Sequence, residues 1–107
     1  MRLIWSEGAQ SDWDGIARYI AVNFGQKAFD KFNKATDKTE KQIKEFPNSG
    51  TPFPTRKHKK LGLRFVFISE LSKVIYHIDN ETIVIDVIWD TRQSPKRLAG
   101  RLNQLRK

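Results

Sequence analysis

The sequence predicts an α+β fold. A helical hairpin packs on a small, mainly antiparallel sheet, in the order β-α-α-β-β-β, with a short C-terminal helix. Three observations carry this reading. Two long segments in the first half repeat apolar side chains at helical spacing and are separated by about two residues. Three segments in the second half alternate at period two, joined by short polar links. The chain has 107 residues, which suits a single domain over 1–107.

Arg2 to Trp5 reads as a strand, with Leu3 and Trp5 on one face and Arg2 and Ile4 on the other. Trp13, Ile16, Ala17, Ile20, Ala21 and Phe24 then form one apolar stripe. Either Ser11, with Asp14 three residues on, or the earlier Ser6 caps that helix. Gly25 ends it, because glycine accepts positive φ after a helix. In the second helix Phe29, Phe32, Thr36, Thr39, Ile43 and Phe46 recur at steps of three and four, while Lys31, Lys34, Asp37, Lys38, Lys41 and Lys44 occupy the other faces. Pro47 forces its end, since the residue before proline avoids α geometry. The short link makes the two helices an antiparallel hairpin.

Residues 47–54, Pro-Asn-Ser-Gly-Thr-Pro-Phe-Pro, are turn chemistry. Strands are expected over Leu63–Ile68, Lys73–Ile78 and Thr82–Trp89. In the last, Ile83, Ile85, Val87 and Trp89 alternate against Val84, Asp86 and Ile88. The links Ser69–Ser72 and Asp79–Glu81 suggest two consecutive hairpins, a meander. Ser94 is an expected N-cap with Pro95 at the first helical position, and Leu98, Leu102 and Leu105 then recur at helical steps. A helix pair must bury its stripe and the meander offers an apolar face, so the two layers pack together.

The absence of cysteine excludes a disulfide scaffold, a cysteine-ligated zinc site and thiol catalysis. The N-terminus does not read as a signal peptide and no apolar run approaches a bilayer span, so a cytoplasmic protein without a membrane partner is expected. Twenty Lys/Arg against twelve Asp/Glu give a formal charge of +8. Residues 1–50 hold eight against seven, whereas residues 51–107 hold twelve against five. That asymmetry points to an anionic partner met by the second half, either nucleic acid or an acidic protein.

His58 and His77 lie far apart and lack carboxylates at ligand spacing, so no metal site and no cofactor are expected. There is no phosphate-binding glycine loop and no serine elbow. What remains is a set of cations: Arg56, Lys57, Lys59 and Lys60 in a loop, Arg64 and Lys73 on strands, Arg92 after the last strand, then Lys96, Arg97 and Arg101. Converging on one sheet edge, they could hold phosphates and stabilise charge at phosphorus. His58, His77, Tyr76 and carboxylates such as Asp90 are the candidate proton carriers for metal-free RNA cleavage. Tyr76 shares a face with Val74 and Ile78, which marks it as core, and His77 then falls on the outer face of the sheet.

The opening Leu3-Ile4-Trp5-Ser6, the helix end Tyr19–Gly25, the segment Lys44–Gly50, and the strands Val74–Ile78 and Ile83–Arg92 together resemble the RelE/ParE superfamily. These are small basic toxins of bacterial type II toxin–antitoxin modules, also described as plasmid stabilisation proteins. The resemblance covers nearly the whole chain. It implies a growth-inhibiting toxin neutralised by a cognate acidic, partly disordered antitoxin. RelE-like members are metal-free, ribosome-dependent mRNA endoribonucleases (mRNA interferases), whereas ParE-like members inhibit DNA gyrase by binding.

The long hairpin, the Phe46–Pro52 turn and the apolar Phe65-Val66-Phe67-Ile68 look more like the ParE branch, and Leu98 stands where some RelE-like members carry a catalytic tyrosine. Arg92 matches the arginine after the last strand in both branches. Gyrase inhibition is therefore the favoured expectation. The alternative is a ribonuclease using Arg92, Lys57, Lys59, Lys60, His58 and His77, and a third reading is a non-toxic nucleic-acid-binding or regulatory relative. In the binding readings, Arg56, Lys57, Lys60, Arg64, Lys73, Arg92, Lys96, Arg97 and Arg101 would meet the antitoxin or nucleic acid.

Overall fold

The computed structural model describes residues 1–53 and 62–106. The first strand, β1 (Arg2–Trp5), leads directly into helix α1 (Glu7–Phe24). Of the two possible caps, Ser6 is the one used. It is extended at φ −68° and ψ 158°, and its Oγ accepts the Ala9 N–H. Gly25, at φ +89°, turns the chain into α2 (Gln26–Glu45), which stops one residue before Phe46-Pro47.

The hairpin is held by aromatic packing. Trp13 stacks on Phe32 with ring centroids 5.6 Å apart, meets Phe29 edge-on at 6.2 Å, and donates its indole N–H to Thr36 Oγ1. Trp5 donates to Glu40 at 2.8 Å and so ties β1 to α2.

The sheet has five strands in the order β1-β5-β4-β3-β2. Its members after the hairpin are β2 (Thr51–Pro52), β3 (Arg64–Ser69), β4 (Ser72–Asp79) and β5 (Thr82–Asp90). β1 runs parallel to β5, while β2 to β5 form the antiparallel meander. The turn segment is more than a turn: Thr51 and Pro52 pair with Phe65 and Arg64 to form β2. Proline is tolerated there because the strand is an edge.

Strict alternation along β5 does not hold. Ile75 pairs with Val87 but Tyr76 pairs with Ile85, so Asp86 is an extra residue in a β-bulge. The bulge shifts the phase. Ile83, Ile85 and Ile88 join Val74, Tyr76, Ala9 and Ile43 under the hairpin. Val87 and Trp89 turn to the opposite face, with Ile75, Leu63, Leu98 and Leu102. The latter two leucines belong to α3 (Pro95–Asn103), capped by Ser94 with Pro95 in the first turn and followed by a 3₁₀ turn at Gln104–Arg106. The sheet is thus covered on both faces: the hairpin packs on one, and the short C-terminal helix on the other.

β1 pairs only with Thr82–Ile85. Beyond it, side chains cap the outer edge of β5: Ser6 Oγ donates to the Asp86 carbonyl, and Asp12 Oδ2 accepts the Ile88 N–H.

Candidate functional site

Arg92 lies just past the end of β5, in a turn anchored by the Thr91 N–H on the Leu71 carbonyl. Its own N–H and its Nε both donate to Asp90 Oδ1, at 2.9 and 3.1 Å, and its Nη2 donates to Asp90 Oδ2 at 2.8 Å. The guanidinium carbon sits 5.1 Å from the centroid of the Tyr19 ring. The Arg92 hydrogen bonds hold the Asp90 carboxyl below the usual carboxylate range, and Asp90 in turn raises Arg92 above the ordinary arginine value. Arg92 is therefore a permanent cation in a fixed pose. It stands at the mouth of a cavity of about 460 Å³ between α1 and the β3–β4 turn, whose walls include Ile16, Ile20, Phe24 and Leu71. Tyr19, Phe24 and Leu71 are all well exposed there. Chemically this is an apolar-walled cleft with one oriented guanidinium, suited to gripping a side chain or short segment of a partner.

The remaining strand and helix cations do not converge on Arg92. Arg64 Nη1 donates to the carbonyls of Asn48 and Gly50, at 3.1 and 2.8 Å, and pins the turn after α2. The same turn is held by Tyr76, which is fully buried, as its position facing Val74 and Ile78 predicts. Its hydroxyl donates to the Pro47 carbonyl and accepts the Gly50 N–H. A Cβ at position 50 would collide with that ring. Burial pushes the Tyr76 phenol up, against the opposing effects of the Gly50 bond and Arg64, which makes it a poor proton donor.

Lys73 lies over the rings of Phe65 and Phe53, at 4.8 and 5.5 Å, and burial pushes its ammonium down. Arg101 reaches from α3 to α1, where its two terminal nitrogens donate to the two oxygens of Asp12, at 2.8 and 2.9 Å. Lys96 and Arg97 are exposed on the first turn of α3. Arg56, Lys57, His58, Lys59 and Lys60 lie outside the described residues.

His77 is not a free outer-face histidine. It is half-buried, and its Nδ1–H donates to Asp86 Oδ2 at 2.6 Å. That hydrogen bond raises the His77 pKa above 6.5, with burial opposing and the charges of Asp86 and Asp79 adding. Among the described residues Arg64, Lys73, Arg92 and Arg101 are thus held separately, each by its own partner, while Lys96 and Arg97 stand exposed.

Sequence reasoning missed Tyr19 and Asp12 as the partners of Arg92 and Arg101, and Asp86 as the partner of His77. Only Asp86 gave a signal, as a carboxylate inside an otherwise apolar strand. Among the described residues no group of three His, Cys, Asp or Glu side chains could hold a metal ion, and no helix is long and apolar enough to cross a membrane.

The sequence profile of the ParE toxin of the type II toxin–antitoxin system, parDE, matches residues 3–95. The chain belongs to the ParE toxin family. A solved chain from the chromosomal ParDE TA system of P. aeruginosa shares the fold, with a TM-score of 0.68 at 21% identity, over 84% of this chain and 95% of that one. No curated protein matches the sequence. This ParE-family toxin is one half of a type II toxin–antitoxin module, so a cognate antitoxin is its partner. The family match places it on the ParE side of the superfamily and does not favour the ribonuclease branch.

Proposed function

We propose that this ParE-family toxin stops growth by binding DNA gyrase, and that an acidic antitoxin segment neutralises it by occupying the cleft at Arg92. The observation that carries this reading is the state of Arg92. Asp90 takes its Nε and Nη2, and Tyr19 supports one face of the guanidinium. A guanidinium whose charge is already met by a carboxylate gives little to a developing phosphorane, yet it is well oriented to recognise an approaching group. The apolar walls beside it supply buried area, which suits binding better than bond chemistry.

The test is a supercoiling assay with purified gyrase and no ribosome present. The full-length toxin is expected to inhibit supercoiling, with Arg92→Ala and Tyr19→Ala each weakening inhibition at least tenfold. Unimpaired gyrase together with new cuts in ribosome-bound mRNA would overturn the reading in favour of the nuclease branch.

A further inference from the structure

Lys27, Lys31, Lys34, Lys38 and Lys41 follow one another along α2 at steps of four and three, and all five are exposed. At 3.6 residues per turn they fall in a band about 80° wide and about 21 Å long. The band lies opposite Phe32, Thr36, Thr39 and Ile43, the residues that α2 buries. No other residue between positions 27 and 41 falls inside it.

The acids beside it do not neutralise it. Asp30 and Asp37 stand four residues before Lys34 and Lys41, a pairing distance on a helix. Yet the ion pairs among the described residues are His77–Asp86, Arg92–Asp90 and Arg101–Asp12, all elsewhere. Asp30 instead accepts from Gln26.

The composition of the band selects its partner. A protein interface needs apolar or arginine anchors at its centre and is depleted in lysine. An interfacial membrane helix must turn an apolar face to the lipid, whereas the apolar face of α2 is packed under Trp13. Single-stranded nucleic acid is held by aromatic stacking platforms, and the band has none. A straight row of mobile point charges matches a regular polyanion read only through its backbone. We infer that the lysine face of α2 binds the phosphate backbone of duplex nucleic acid, irrespective of sequence.

This inference does not rest on gyrase being the target. It is tested with the full-length toxin and a fluorescent 30-base-pair DNA of arbitrary sequence, titrated at several salt concentrations. Each lysine paired with a phosphate contributes about 0.9 to the log–log salt slope. The triple variant K31Q/K34Q/K38Q is therefore expected to flatten that slope by roughly 2.7. A triple variant elsewhere, R2Q/K96Q/R97Q, removes the same charge and is expected to leave the slope within about one.

Equal flattening by both variants would show that only net charge matters and would overturn the proposal, as would a stripe variant that binds like the parent. Tighter binding to polyglutamate than to the duplex at equal salt would reassign the face to an acidic protein, and would also overturn it. Glutamine has nearly the helix propensity of lysine, and matching circular dichroism spectra guard against misfolding.

Discussion

The two halves of the chain use their cations in opposite ways. Residues 51–107 carry the larger positive excess, but most of the described cations there have work inside the fold. Arg64 binds two carbonyls, Lys73 rests on two rings, Arg92 is clamped by Asp90, and Arg101 chelates Asp12. The first fifty residues are nearly neutral, yet α2 sorts its charges so that five lysines share one solvent face. Net charge per segment therefore says little about where a polyanion would land. What matters is which cations the fold leaves unpaired, and a helix with one buried face can line up such charges without any long-range contact.

The strongest way to break this contrast is to remove a partner from the paired half. Asp12→Ala takes away both the bidentate contact with Arg101 and the acceptor for the Ile88 N–H. It leaves a guanidinium and a half-buried donor without partners, at an expected cost of about 2–3 kcal/mol in urea denaturation. The salt slope for duplex binding should stay unchanged. A stability loss below about 0.5 kcal/mol would place this pair with ordinary surface bridges.

Why the sequence showed one half and hid the other follows from the range of the interactions. The hairpin, the cap at Ser94 and the stop at Pro47 depend on neighbours a few residues away, and their spacing is visible in the chain, whereas the choice between Ser6 and Ser11 as the first cap was not. The strands were legible for the same reason, and so was Tyr76 as core. The bulge at Asp86 was not. It is set by pairing across strands, and it turned Val87 and Trp89 to the face that α3 covers. The partners of the cations are farther still: Arg101 and Asp12 are 89 residues apart, and no local pattern joins them. A strip of lysines at helical steps, by contrast, is as readable as any apolar stripe.

A smaller effect is expected at Arg64. Arg64→Ala loses two charge-assisted hydrogen bonds to the turn after α2, worth about 1.5 kcal/mol. The Tyr76 hydroxyl still holds that turn through Pro47 and Gly50. Thermal melts of Arg64→Ala, Tyr76→Phe and the double variant should show a double-variant loss larger than the sum of the two single losses, because both residues secure one turn.

At His77 the pairing itself depends on pH. Asp86 raises the folded-state pKa of His77 above 6.5, so the protonated pair adds stability that is complete below about 6.5. That stability is lost as pH rises through the folded pKa. The stability difference between wild type and Asp86→Asn should therefore shrink between pH 6 and pH 9. A constant difference across that range would mean that Asp86 holds the His77 ring equally well whether or not the ring is protonated.

The unpaired half predicts the smallest change in stability, and its sign is opposite. Lys38 stands four residues after Lys34 and three before Lys41, with no acid three or four residues away, so the band repels itself at that point. Lys38→Glu converts that repulsion into attraction, with the glutamate N-terminal to Lys41 as the favourable orientation. It should raise stability by about 0.5 kcal/mol at low salt, with the gain fading as salt screens it. The same change should weaken duplex binding more than Lys38→Gln does. A protein that becomes more stable while losing its hold on the duplex would show that the row of like charges is kept at the expense of the helix that carries it. Destabilisation by Lys38→Glu would instead show that the lysines do not repel one another measurably, and that the face is simply solvated.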